Sequence, residues 1–441
     1  MAGDVKLWLS PVLRELVAPV MHDAPEPIRR SVEVVDEPGD RDDDGPVAIE
    51  FDGRTRAFPR QWFLDALAYS SGAHPHLDAV TEDAEHAAQS AGPGATVAAL
   101  TWLLDVVTGD AEAEADDSSA GHVLELHATP EYLELLSTRP DSDVRIADKR
   151  RSLFDLLGVV LPPFGLVPDT SLTSAGYRFV YGSARTVPRL GLVADQVSTY
   201  WWHGTSAEQG SADDLRSAQV PFVMRNRIPG VALPTAFAAQ VESTGWLTWD
   251  PVEHLLLDLG VVVDDWAWRL QSQDATVRLL DELASQYPVV GTRAKRLGAD
   301  VVHGVFVSML RDHVPIRNVA RIAQLALRYD DVRTAAPDRA TYVRWGMAEE
   351  IGAGVARHSD TVRALLVDPV LEAALDARFA TALTKELADL PAHVEPPVLI
   401  TSDDRRAAVA EFLRARIPSV TVVSLRDLPA HLNVQPVARV S

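Results

Sequence analysis

Apolar residues recur at helical spacing through much of this chain and alternate with polar ones over a few short stretches. Leu7, Leu9, Val12, Leu13, Leu16 and Val17 share one face of a helix predicted over 7–20. Val47 to Phe58 alternates on either side of Asp52-Gly53, a pair suited to the positive φ angles of a tight turn, and predicts a hairpin. Phe58–Tyr69 and Thr96–Val107 read as two more helices. Farther on, a strand at Val123–Leu126 precedes a helix at Val144–Leu157, with strands expected around Val159–Leu161 and Tyr177–Tyr181. Residues 218–250 mix short strands with a helix at Thr235–Gly245, and from Val252 to Val355 the spacing is almost purely helical. The end of the chain alternates: helix Pro369–Leu390, strand Val398–Ser402, helix Asp403–Arg416, strand Val420–Ser424, strand Val434–Val440. That order predicts an α/β unit.

Two acidic, turn-rich runs interrupt the pattern, 36–46 and 109–121. Neither has the apolar residues needed to offset the entropy of ordering, so both read as linkers. The second is the better boundary because the sequence changes character across it. With 441 residues, 47% of them hydrophobic, the chain has ample material for a core. The formal charge of −22 disfavours nucleic-acid phosphate and anionic lipid, whose affinity is built from Lys and Arg. An acidic genome-wide bias explains the same charge equally well. There is no cysteine, which excludes disulfides, Cys-ligated metal and thiol chemistry. The most apolar stretch, Leu153–Val167, is broken by Asp155, Pro162 and Pro163, short of the roughly 20 residues a membrane helix needs. No basic region followed by an apolar run marks a signal peptide, and a cytoplasmic location is expected.

Candidate chemistry is sparse. His74, His76, Asp78 and His86 lie in a Ser-Gly-Ala-rich loop without helical ligand spacing, which favours a solvated loop over a metal site. No Gly-x-Ser-x-Gly or phosphate-binding loop is present, and Gly352-Ala353-Gly354 reads as a helix C-terminal cap. No catalytic, cofactor-binding or metal-ligating residue is expected. Tyr200-Trp201-Trp202-His203 is the densest aromatic run and suits either core packing or an interaction anchor. Trp266 and Trp268 fall on opposite faces of a helix, so one of them is free to meet a neighbour. Arg317 reads as a structural residue that pairs with a carboxylate, behind Pro315 at a helix start.

Pro397-Val398-Leu399-Ile400-Thr401-Ser402, Arg405-Arg406, Ile417-Pro418, Val422-Val423-Ser424, Leu428-Pro429 and Asn433-Val434-Gln435-Pro436-Val437 resemble the closing segment of the export-gate (FHIPEP) family. Leu157-Gly158-Val159-Val160-Leu161-Pro162-Pro163 with Tyr177-Arg178 is similar to an upstream motif of that family. So are Leu233-Pro234 with Gly245-Trp246 and Asp250-Pro251, then Asp274 with Val277–Asp281, then Gly304–Asn318 with Arg311 and Val314-Pro315-Ile316-Arg317-Asn318. Each motif alone is weak, but chance matches do not keep their order along a chain.

The resemblance implies an α/β plus α fold of four subdomains, like the cytoplasmic domain of type III secretion and flagellar export gates, behind a small α+β domain. The divisions are 1–108 unrecognised α+β, 109–120 linker, 121–199 with 251–271 thioredoxin-like, 200–250 an inserted small α/β subdomain, 272–355 helical, and 356–441 ring-building α/β. The family's membrane half is not read in this sequence. The resemblance further implies a non-enzymatic scaffold in protein transport that assembles as a homo-oligomeric ring and takes protein partners, without cofactors. The family's docking positions, an Asp, a Phe and a Thr, align with Ile228, Val231 and Leu257, all apolar here. With Leu233 and Phe237 they define an expected partner-binding groove. The client is open: a soluble export adaptor, a platform in another system with an NTPase-type partner, or an enzyme whose site lies in 1–108.

Overall fold

The computed structural model describes residues 123–139, 141–172, 175–200, 220–223, 229–243, 245–332, 336–356, 359–388, 398–414 and 420–441, together with four N-terminal strands. Those strands are β1 (Val5–Trp8), β2 (Val32–Val35), β3 (Val47–Phe51) and β4 (Arg54–Phe58), in the order β2-β1-β3-β4. The hairpin predicted across Asp52-Gly53 is present, with Val47 opposite Phe58. The helix expected over 7–20 fails at its start, because Leu7 and Trp8 sit in β1 between β2 and β3: pairing on both sides overrides a helical spacing. Phe58, the first residue of the helix expected over 58–69, ends β4 instead; residues 9–20 and 59–69, the expected helix 96–107 and both acidic runs lie outside the described residues.

The chain divides into two compact units, residues 1–152 with 162–263, and 153–161 with 264–441. In the first, β5 (Leu124–Ala128) leads into α1 (Pro130–Thr138) and α2 (Ser142–Leu157), which extends into the second unit. Thr129 caps α1 by accepting from the Tyr132 amide at 3.3 Å, with Pro130 at the first turn. β6 (Phe164–Pro168) runs parallel to β5, and β7 (Gly176–Tyr181) pairs with its other side. β8 (Ala184–Arg185) and β9 (Arg189–Leu190) complete this sheet, ordered β6-β5-β7-β8 with β9 on β7. A second sheet joins β10 (Gln196–Tyr200), β11 (Val220–Val223) and β12 (Pro229–Pro234) in the order β10-β12-β11. The helix expected at Thr235–Gly245 is a 3₁₀ turn at Thr235–Phe237 followed by α3 (Ala238–Ser243). Then α4 (Pro251–Leu270) starts from a reciprocal cap: Asp250 accepts from the Glu253 amide at 2.9 Å, and Glu253 from the Asp250 amide at 3.3 Å.

No strand forms at Val159–Leu161. Gly158, at φ 79°, turns the chain out of α2, and Pro162-Pro163 supplies no amide for a ladder, so the strand begins at Phe164 instead.

The second unit opens with six helices: α5 (Gln273–Gln286), α6 (Pro288–Leu297), α7 (Ala299–Arg311), α8 (Val319–Arg328), α9 (Arg339–Gly346) and α10 (Ala348–Ala356). Ser272, Asn318 and Asp338 cap three of them, accepting from amides three residues on at 3.0, 3.2 and 2.8 Å. Pro315 therefore does not start a helix; Asn318 does. Gly352 lies within α10 and caps nothing: a Cβ there would come 2.8 Å from Pro429 Cγ, so the glycine serves close packing.

The last elements are β13 (Thr361–Val367), α11 (Pro369–Ala374), α12 (Ala377–Ala388), β14 (Val398–Thr401), α13 (Arg406–Arg414), β15 (Val422–Ser424) and β16 (Asn433–Val440). The four strands form one parallel sheet, β15-β14-β13-β16, so Val398–Ile400 and Val422–Val423 share it as the sequence predicts. Leu365, Phe379, Leu399, Val409, Leu413 and Val440 pack between its strands and helices. The helix expected over Pro369–Leu390 breaks at Leu375, at φ 45°. Asp376 then accepts from the Arg378 amide at 3.0 Å and restarts it as α12.

Candidate functional site

In the first unit α4 carries His254 and Asp258 one turn apart, on the face it lays on the sheets. Ser198 Oγ of β10 lies 3.1 Å from His254 Nδ1. The Tyr177 hydroxyl of β7 donates to Asp258 at 2.5 Å, and Tyr132 stacks on Tyr177 at 5.6 Å. Burial lowers the His254 pKa below 6.5 against the opposing charge of Asp258, with Arg189 adding to the lowering. Burial also pushes the Tyr177 hydroxyl far up, helped by Asp258. Ser, His and Asp are thus neighbours, yet they are 0%, 5% and 3% exposed. A nucleophile needs a substrate within reach, and these groups instead satisfy one another's polar needs inside the core.

The second unit contains a denser charge cluster. Asp312, just after α7, takes Arg406 of α13 at 2.6 Å, and Arg344 of α9 and Arg414 of α13 at 3.4 Å each. Asp427, fully buried, lies 2.9 Å from Arg344 Nε, a charge contact whose angle falls outside hydrogen-bond geometry. It also accepts from the Ser424 amide at 2.8 Å. Three guanidinium groups against two carboxylates tie the helices to the α/β sheet. Buried ions of this kind are costly when a partner is removed, so the cluster reads as an interlock.

Three residues of the expected groove, Val231, Leu233 and Phe237, meet in one small core. Val231 and Leu233 are wholly buried on β12 with Val197 and Val241, because alternate β12 side chains point into that small core. They line no open surface. Phe237 is half-buried against the same core, Leu257 is half-buried on α4, and Ile228 lies outside the described residues. Tyr200 packs edge-on against Trp249 at 4.8 Å, with Trp246 at 6.5 Å; Trp201, Trp202 and His203 lie outside the described residues, as do His74, His76, Asp78 and His86. Trp266 and Trp268 are both half-buried, and Trp268 holds the guanidinium groups of Arg269 and Arg311 at 4.5 and 4.3 Å. Arg317 is exposed and forms no ion pair among the described residues, so the pairing expected of it is not found among them. Among the described residues no group of three or more His, Asp or Glu is placed to hold a metal, and no helix is long and apolar enough to cross a membrane.

An apolar groove of about 310 Å³ opens elsewhere, in the first unit, between α2, β6 and α4. Val144, Ile146, Phe164, Leu166, Leu255 and Leu259 line it. Sequence reasoning missed it, because Leu166 belongs to a strand that was expected a few residues earlier.

The FHIPEP family model matches residues 65–433. The flagellar biosynthesis protein FlhA of Bacillus subtilis (strain 168) is 22% identical over 314 residues, 66% of this chain and 45% of that protein. The probable translocation protein y4yR of Sinorhizobium fredii is 22% identical over 308 residues, 64% of this chain and 42% of its own. The chain thus spans under half the length of the curated relatives it matches. Among solved structures, the Chlamydia pneumoniae CdsV protein superposes with a TM-score of 0.63 at 17% identity, covering 72% of this chain and 97% of that one. CdsV in complex with CdsO gives 0.62 at 16%, over the same shares of the two chains. The nonameric EPEC SctV-C gives 0.56 at 15%, covering 72% and 98%. At such identities the likeness is one of fold, a mixed α/β architecture. The family match covers well over half of the chain, and the chain belongs to the FHIPEP family.

Proposed function

We propose that this chain is a non-catalytic protein-docking scaffold of the export-gate kind, built from four subdomains and assembling into a ring of its own copies. The fold likeness to the nonameric SctV-C carries the reading, since it spans 98% of that chain. The likeness to CdsV in its complex with CdsO supports a further protein partner. The sealing of Ser198, His254 and Asp258 inside the core supports a scaffold over an enzyme. Val277, Tyr287, Val289 and Val301 are exposed on or beside α5, α6 and α7, where a neighbouring subunit would cover them.

The finer division follows 121–199 with 251–271, 200–250, 272–355 and 356–441. The break between the two compact units after Val263, inside α4, falls close to the expected end of the first of these at 271. A soluble adaptor for protein export is the second reading, favoured by the likeness to a probable translocation protein. Electron microscopy of the concentrated chain tests the scaffold reading. Ring-shaped particles support it, and an absence of self-association at every concentration and salt contradicts it.

A further inference from the structure

We propose that the open edge of β6, with the apolar groove beside it, docks an extended peptide bearing Lys or Arg, which joins the sheet as an added strand. Among the described strands, β6 is the terminal one of its sheet. The Pro163 carbonyl accepts from the Leu124 amide at 2.9 Å, and the Asp169 amide donates to the Ala128 carbonyl at 2.8 Å, so the odd-numbered backbone groups face β5. With the period of two along a strand, the N–H and C=O groups of Phe164 and Leu166 then face outward. Neither residue forms an outward hydrogen bond among the described residues. Pro168, which has no N–H, marks the far end of the edge. An unpaired edge is a ready template for another chain.

The side chains match the backbone. Phe164 and Leu166 fall on the same face of β6, and both line the groove. Leu166 is 47% exposed, and Val144 across the groove is 59% exposed. A strand laid about 4.8 Å beside β6 would place alternate side chains on that face, over the groove. Charge then selects the occupant. Asp141 and Asp143 stand exposed on the rim and hold no ion pair among the described residues. Arg139, the cation of the rim, donates to the Ala194 carbonyl at 2.6 Å, a neutral acceptor that leaves its charge in place. Two carboxylates against that one guanidinium leave the rim net negative, as is the chain's net charge of −22. The complement is cationic and apolar in alternation.

The inference rests on the reading of the chain as a docking scaffold, but it fails separately: rings without peptide binding would leave that reading standing and remove this one. The probe is a fluorescein-labelled peptide of about eight residues, alternating Val and Lys. Its comparisons are a Val-Glu alternation and a Val-Lys peptide N-methylated at alternate amides. Saturable binding to the full chain is expected for Val-Lys, with slower amide exchange at Phe164 and Leu166. Leu166→Pro removes one outward donor and leaves the β5 ladder intact, and Val144→Lys places a cation in the groove. Each is expected to weaken binding about tenfold. If Leu166→Pro proves unfolded by circular dichroism, the N-methylated peptide on the native chain takes its place, with the same expected loss. Equal affinity for Val-Glu, undiminished binding by both substituted chains, or exchange protection that omits 164–167 would overturn the proposal.

Discussion

Gly158, just past α2, lies against the main chain of Arg317: a Cβ at 158 would come 2.6 Å from the Arg317 Cα and 2.7 Å from the Ile316 carbonyl carbon. The Ile316 amide donates to the Leu157 carbonyl at 2.7 Å, so two distant segments meet backbone to backbone. Gly158 holds φ 79°, where a side chain is strained even without a neighbour. Both segments belong to motifs that the sequence singles out, and their contact explains the glycine in one and the extended run through Ile316 in the other. Arg317 contributes its backbone here, whereas its side chain points to solvent.

Gly158→Ala should accordingly destabilise the chain by about 2–4 kcal/mol, combining a left-handed alanine with an overpacked backbone contact. Urea unfolding measures this. A loss under about 0.5 kcal/mol, the range of ordinary surface changes, would contradict the contact.

Asp427→Asn should cost about 3 kcal/mol, because it leaves Arg344 buried with one carboxylate fewer and weakens the cap on Ser424. Arg414→Gln should cost about 1 kcal/mol or less, since Arg414 is partly exposed and also reaches the exposed Glu411. Chemical denaturation of both variants checks the ranking. Equal losses would show that burial does not set the cluster's energetics.

Two histidines give opposite pH dependences. Burial works to lower the pKa of His313, but its hydrogen bond with Asp264 and the charges of Asp264, Asp265 and Asp312 outweigh that and hold it above 6.5. Its contribution is therefore complete below pH 6.5 and lost as pH rises through the raised value. His254, lowered by burial, contributes in the reverse sense: its share is present above pH 6.5 and lost as pH falls toward the depressed value. Melting temperatures of His313→Gln from about pH 5 to pH 9 should lie farthest below the native chain at the acid end and converge at the alkaline end. A constant gap would show that the Asp264 pairing does not titrate.

Helix content from Val252 onward was legible because an unbroken apolar period over many residues leaves few alternatives. The C-terminal strands were legible from their short apolar runs, except β13. There Ala364-Leu365-Leu366-Val367 is a continuous apolar run, as expected of a strand covered on both faces of a parallel sheet, and such runs carry no period of two. The β6 edge escaped for a related reason. Val159–Leu161 looks more strand-like than Phe164–Pro168, and only the placement of Gly158 and the two prolines decides between them. That Val231 and Leu233 are buried in a small core was not legible, because sequence shows that a position is apolar, not which face of its strand is covered.

The chain's charge sets the conditions under which the proposed ring would assemble. At −22, subunits repel one another when salt is low and much less once the screening length shrinks to about 10 Å near 0.1 M. Multi-angle light scattering across salt and protein concentration measures this directly. A monomer mass of 48.0 kDa is expected in dilute, low-salt solution, rising with salt and concentration to a closed ring. A dimer of fixed mass, indifferent to salt, would contradict it.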